Sequence, residues 1–331
     1  MKPRSIKAAT LGVALLAACS GDTIFEAPVT TEPPVVKAAT HPILFASNRD
    51  PAFPRTQIFA MKTDGSEIVN LSRNLFTDVD PSWSPDGQQI AFASSRGNGS
   101  DIYVMKVDGS GLRRLTNDQL DDRRPRWSPD GKRIAFESGK EGLLPGLSFG
   151  ARFSDIWVME TDGSHVTNIT KTPNNSEWWV SWAPDGKTIA YTRLGASAVI
   201  MLVNPDGTNS RQFHAIDPRY TDDVAAWSPD GSRIAYSTFD KQSPQFTDLW
   251  YIFTARNDGT DVKQLTLPST RYPAWSPDGM RIVYNRDGGN EFWARFGIVN
   301  VSVVNADGSN DRRLTSDPDK RNEVGSQAWA K

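Results

Sequence analysis

The segment Pro-Ser-Trp-Ser-Pro-Asp-Gly at 81–87 returns with small changes at 125–131, 180–186, 225–231 and 273–279, and a shortened copy, Gln327 to Lys331, ends the sequence. Its tryptophans are Trp83, Trp127, Trp182, Trp227, Trp275 and Trp329, spaced 44, 55, 45, 48 and 54 residues apart. A period of that size is the signature of a propeller blade built from four short strands. The rest of each unit aligns as well. After the motif comes Ile90-Ala-Phe, Ile134-Ala-Phe, Ile189-Ala-Tyr, Ile234-Ala-Tyr or Ile282-Val-Tyr, and Ile43-Leu-Phe stands near the start without a motif before it. A third apolar run ends at an Asp-Gly pair, as at Asp64-Gly65 and Asp108-Gly109, and most units close on a run such as Leu112-Arg-Arg-Leu-Thr116. We label these strands A (around the Trp), B, C and D.

Ser-Pro-Asp-Gly suits an A–B hairpin: Pro fixes the first corner, Asp bonds its own backbone and Gly accepts positive φ. Asp-Gly does the same between C and D. These acids therefore read as turn residues. The tryptophans read as packing residues between one blade and the next. The first strand is of type B and the last of type A, so one blade is assembled from both ends, with 327–330 paired to 43–47. Such a clasp removes the open strand edges of the ring. The expectation is an all-β, six-bladed β-propeller over residues 41–331, each blade a four-stranded antiparallel sheet.

Repeated Trp-Ser-Pro-Asp-Gly, then Ile-Ala-Phe/Tyr, then Asp-Gly-Ser and Arg-Leu-Thr, resembles the TolB-type six-bladed β-propeller family with its WD-like repeats, and the similarity runs over 41–331. The resemblance implies a bacterial cell-envelope setting and binding of a protein. TolB proteins carry an additional N-terminal α/β domain that contacts inner-membrane partners. In this sequence a short segment stands in that place, so the resemblance carries the fold further than the role.

That segment has its own signals. Lys2, Arg4 and Lys7 precede an apolar run from Ala8 to Ala18, and the sole cysteine, Cys19, follows Leu16-Ala-Ala. This is the layout of an export signal too short to span a bilayer. The cysteine position resembles a bacterial lipobox. Residues 1–18 are expected to be a lipoprotein signal peptide, and 19–40 a lipidated Cys19 followed by a tether with Pro28, Pro33 and Pro34. Ser20 after the cysteine favours the outer membrane. Membrane contact is expected through the lipid anchor only.

Composition narrows the function. Lys+Arg is 37 against Asp+Glu 39, and removal of the three signal cations takes the net charge from −2 to −5. Nucleic acid is excluded as a partner on that balance. One cysteine and three histidines leave no cysteine-based zinc site and no multi-histidine metal centre. His165 follows an Asp-Gly turn and His214 stands alone after a D strand, so neither reads as a general base with a partner. No catalytic residues, no resident metal and no cofactor are assigned.

The A–B and C–D turns are tight and uniform, whereas irregular B–C segments occur at 139–153, 239–247 and 287–296. Binding residues on rigid scaffolds favour variable loops, so the B–C/D–A face is the expected working face. Five residues before each motif Trp stand Asp78, Asp122, Glu177, Asp222, Thr270 and Val324. If the four acids point at the axis they form a negative collar, which would attract a basic peptide or a divalent cation. Paired instead with nearby arginines, they would be loop caps. Trp178, Trp179, Tyr220 and Tyr272 add aromatic surface, and one of the two adjacent tryptophans must be exposed or lie in the channel. The leading reading is a non-catalytic protein- or peptide-binding module of the envelope. The alternative is a carbohydrate-active or glycan-binding propeller using the acidic mouth.

Overall fold

A computed structural model describes residues 37–38, 40–141, 152–172, 175–195, 197–214, 219–242, 250–287, 299–315 and 328–329. The signal segment, Cys19 and the tether up to residue 36 lie outside the described residues, as do most of the three B–C insertions. The described strands form six four-stranded antiparallel sheets. Blade I is β1 (Ile43–Ser47), β2 (Gln57–Met61) and β3 (Val69–Asn70), completed by β24 (Ala328–Trp329). The expected clasp is present, with Ile43 opposite Trp329 and Leu44 opposite Ala328. Blade II is β4 (Asp78–Trp83), β5 (Gln89–Ser94), β6 (Asp101–Lys106) and β7 (Arg113–Arg114). Blade III is β8 (Asp121–Trp127), β9 (Arg133–Glu141), β10 (Arg152–Glu160) and β11 (Thr167–Asn168). Blade IV is β12 (Ser176–Trp182), β13 (Ile189–Leu194), β14 (Ala198–Val203) and β15 (Arg211–Gln212). Blade V is β16 (Tyr220–Trp227), β17 (Arg233–Asp240), β18 (Trp250–Arg256) and β19 (Lys263–Gln264). Blade VI is β20 (Thr270–Trp275), β21 (Arg281–Asp287), β22 (Val299–Asn305) and β23 (Arg312–Arg313).

The turns work as their sequence requires. In the β4–β5 hairpin, Ser84 Oγ donates to Asp86 Oδ1 at 2.6 Å, the Gln88 amide donates to the same oxygen at 3.0 Å, and Gly87 has φ +66°. The Ser84 hydroxyl first, then the Gln88 amide, hold the Asp86 carboxyl below its ordinary range. The D strands are only two residues long because threonine takes over the ladder. Thr116 Oγ1 accepts from the Ile102 amide at 3.0 Å, and Thr266 and Thr315 do the same for Ile252 and Val301.

The core lies between blades rather than within them. Trp83 packs with Leu44 and Ile58 of blade I as well as Ile90 and Phe92 of its own blade, and Trp182 joins blade III to blade IV in the same way. Three indoles add a bond to the preceding blade: Trp83 Nε1 to the Pro42 carbonyl at 3.1 Å, Trp182 to Arg126 at 3.0 Å and Trp275 to Ala226 at 3.1 Å. The C–D glycines are the second seam. A Cβ on Gly65 would stand 2.4 Å from the Leu314 carbonyl oxygen, and one on Gly109 2.8 Å from that of Leu71. Gly65 belongs to blade I and Leu314 to blade VI, so this contact also closes the ring.

Candidate functional site at the channel axis

Strand A of every blade runs from the D–A end of the channel to the A–B end. Strand pairing slips in each of blades II to VI, between Val79 and Ser82, Arg123 and Arg126, Trp178 and Ser181, Asp223 and Ala225, and Arg271 and Ala274. The bulged residue is always three before the motif Trp: Asp80, Arg124, Trp179, Val224 and Tyr272, with φ between +49° and +59°. None is glycine, and five left-handed residues at one position are an imposed geometry. A bulge re-aims its side chain. Here it brings residues of distant blades together. The Arg124 guanidinium lies 3.7 Å from the Trp179 ring centroid, and the Trp179 and Tyr272 rings are 4.7 Å apart. Trp179 is on blade IV and Tyr272 on blade VI, with blade V between them, so they touch across the axis.

Side chains from strand B hold the bulges open. The buried Glu137 of β9 accepts from the Trp179 amide and pairs with Arg124. One blade on, the Val224 amide donates to Thr192 Oγ1 at 3.2 Å, and the Tyr272 amide to Ser237 Oγ at 3.0 Å. Burial is the first influence on Glu137 and raises its pKa, against the pull of Arg124. Burial works to neutralise Arg124 too, but Glu137 and Asp80 outweigh it and raise the guanidinium pKa. Burial likewise raises Asp223 and Tyr272.

The four acids counted back from the tryptophans stand at equivalent positions as expected, but not as an open collar. Asp78, Asp122 and Glu177 are fully buried and Asp222 nearly so. Asp78 pairs with Arg96 at 2.9 Å and accepts from Asn74 Nδ2 at 2.6 Å. Glu177 pairs with Arg193 at 2.9 Å. Asp222 meets His214 Nε2 at 3.0 Å and accepts from the Thr238 hydroxyl. His214 is therefore not alone: it ties the end of blade IV to the first strand of blade V. Asp122 has no ion pair among the described residues. Burial raises its carboxyl to about 7, with the Ser138 and Thr116 hydroxyls acting the other way. Asp78, Asp122 and Asp222 meet groups from two blades, and at Glu177 it is the main chain that crosses, its carbonyl accepting from Ser154 Oγ of blade III at 2.7 Å, so these positions work as latches between blades. Of the arginines near them in sequence, Arg124 pairs with Glu137 and Arg219 with Asp240.

The aromatic candidates divide. Trp179 is buried in the axial cluster and Tyr272 joins it. Trp178 is half-buried one position earlier, where strand alternation turns it away from the buried latch. Tyr220 is half-buried on blade V beside Phe253 at 5.8 Å, with Arg219 over its ring. The aromatics Phe149, Phe246, Phe292, Trp293 and Phe296 lie outside the described residues. Among the described residues, no group of three or more His, Cys, Asp or Glu is placed to hold a metal ion.

The family model of the TolB beta propeller domain matches residues 7–223 of the chain. The chain belongs to that family. Solved structures agree on the fold. TolB from Acinetobacter baumannii matches with a TM-score of 0.70 at 22% identity, over 87% of this chain and 66% of that one. This chain thus spans about two thirds of that TolB's length. A putative TolB from Agrobacterium tumefaciens matches with a TM-score of 0.63 at 20% identity, over 87% and 92% of the two chains. An oligogalacturonate lyase in complex with manganese shares the fold too, with a TM-score of 0.59 at 17% identity over 82% and 72%. No curated protein matches the sequence. The TolB family propeller is thus a scaffold shared by proteins of different function, and the argument for function returns to the residues.

Proposed function

We propose that this chain is a non-catalytic, envelope-anchored propeller that docks a protein or peptide segment at the B–C/D–A end of its channel. The observation that carries this reading is the axial cluster. Arg124, Trp179 and Tyr272 meet at the axis, and Trp178, Tyr220 and Arg271, at the D–A ends of the first strands of blades IV to VI, are half-buried. Trp, Tyr and Arg on a preorganised base are the residue types that dominate binding energy at protein interfaces. Membership of the TolB family supports a protein partner in general. The sequence supports export and attachment through Cys19. The test is binding of an envelope partner to the native chain and to Trp178→Ala and Tyr220→Ala variants, with loss in both variants expected.

A second reading, a carbohydrate-active propeller, draws on the lyase structures. The sequence also contains Gly146-Leu-Ser-Phe-Gly150, which has the spacing of a nucleophile elbow. That segment lies outside the described residues, between β9 and β10 of one antiparallel hairpin, whereas the elbow joins a strand to a helix. Product release from oligogalacturonate or another glycan by the native chain would establish this second reading.

A further inference from the structure

The A–B end of the channel is a cup of about 550 Å³, walled by the motif tryptophans of blades II to VI and the prolines two residues after each. A volume of this order suits a ligand. Among the described residues one charged side chain lines it, Arg126 of β8. At the same position the other five blades have Ala328, Ser82, Ser181, Ala226 and Ala274, so the repeat itself does not require a cation there. Arg126 Nη1 donates to the Pro125 carbonyl at 2.9 Å, and the guanidinium makes no ion pair among the described residues. Glu137 is occupied by Arg124 and the Trp179 amide. Burial first, then Arg124, lower the Arg126 pKa, against Asp80 and Glu137. A half-buried cation in an apolar cup is complemented by an anion carried on an apolar stem.

The chain enters the propeller at the lip of this cup. The Lys37 carbonyl accepts from the Thr40 and His41 amides at 3.0 and 2.9 Å, which fixes a turn. Ala38 is buried in one cluster with Trp83, and a Cβ on Gly87 of the β4–β5 turn would stand 2.7 Å from the Ala38 Cβ. The residues before Lys37 have the complementary chemistry. Segment 20–36 holds Asp22, Glu26 and Glu32 with Pro28, Pro33, Pro34 and several apolar residues, and no Lys or Arg. Aromatic-lined grooves recognise proline-rich segments. Five residues span at most about 17 Å, enough for Glu32 to reach from Lys37 into the cup.

We propose that the cup is the docking site of the chain's own acidic, proline-rich segment 28–36, with the Glu32 carboxylate on Arg126 and Pro33-Pro34 against the tryptophans. This inference does not rest on the proposed function at the opposite end of the channel. Hydrogen exchange read by mass spectrometry on residues 20–331 tests it. Amides of Thr30, Thr31, Glu32, Val35 and Val36 are expected to exchange slowly in the native chain. Arg126→Glu, which removes a charge-assisted hydrogen bond, is expected to speed them about tenfold or more, and Arg126→Glu with Glu32→Arg to restore protection. Exchange from β5 and β13 is followed in parallel, so that an unfolded variant is recognised. Unprotected exchange in the native chain, or protection unaffected by Arg126→Glu in a folded propeller, would overturn the proposal. Protection that grows with protein concentration would overturn it also, by assigning the cup to the segment of a second copy.

Discussion

Asp122 is the one latch acid with no cationic partner among the described residues, and its replacement by Asn has a calculable consequence. Its main chain is pinned to blade II: the Asp122 amide donates to the Ser100 carbonyl at 2.7 Å, and Ser100 Oγ donates to the Asp122 carbonyl at 3.0 Å. The carboxyl therefore cannot leave its site without opening a seam. Around it stand the Thr116 and Ser138 hydroxyls, and Asp101 and Asp118 add negative charge. Burial first, then these acids, raise its pKa from 3.8 to about 7. A shift of about 3 units is about 4 kcal/mol of differential stability between protonation states. The sign follows from proton counting. Below about pH 4 both folded and unfolded chains hold the proton and there is no cost. Between about pH 4 and pH 7 the unfolded chain releases it while the folded chain keeps it, so stability falls as pH rises. Above about pH 7 the full cost is present. Asp122→Asn keeps the shape and removes the ionisation. Urea unfolding of both chains should show Asn gaining on Asp by about 3 kcal/mol between pH 5 and pH 8.5. Contributions from other titrating groups cancel in the difference. A gap that does not change with pH, or an Asn variant less stable at pH 8.5, would refute the reasoning.

Other perturbations probe the seams and the axis. Gly65→Ala should destabilise the ring by several kcal/mol, because its Cβ meets the Leu314 carbonyl at 2.4 Å and φ is +88°; thermal unfolding checks it, with Gly97→Ala, where only flexible side-chain ends are met, as the milder comparison. Glu137→Ala should cost about 3 kcal/mol by stranding half-buried Arg124 and the buried Trp179 amide, and Glu137→Gln should cost less; denaturant titration separates them. Trp179→Ala should cost about 3–5 kcal/mol as a large buried truncation, read by denaturant titration, and loosen Tyr272, read by faster hydrogen exchange of the amides of strand β20.

Much of this architecture is legible in the sequence because the repeat is local. Ser-Pro-Asp-Gly, Asp-Gly and the apolar B and C runs each fold by near-neighbour chemistry, and the order of types gives the clasp of Ile43 with Trp329. The latch acids are found by counting from the Trp. Their direction is not, because the bulge between them and the Trp shifts the pleat by one residue. Nothing in the residue types announces that bulge: Asp80, Arg124, Trp179, Val224 and Tyr272 share only a position. His214 looks solitary in sequence because its partner Asp222 is on the next blade. The Glu137, Thr192 and Ser237 series after the aromatic of strand B is a polar break in an apolar run, and that break is the signal by which the supported bulges could have been found.

The most direct test of docking at the B–C/D–A mouth is site-specific photocrosslinking in the envelope. A photoreactive residue replaces Trp178 at that mouth in one chain and Lys187 of the opposite A–B turn in another. The expected result is a single crosslinked protein from position 178, absent from position 187, and absent also from position 178 when Tyr220→Ala is added. Equal crosslinking of one partner from both positions, or from position 187 alone, would contradict the account.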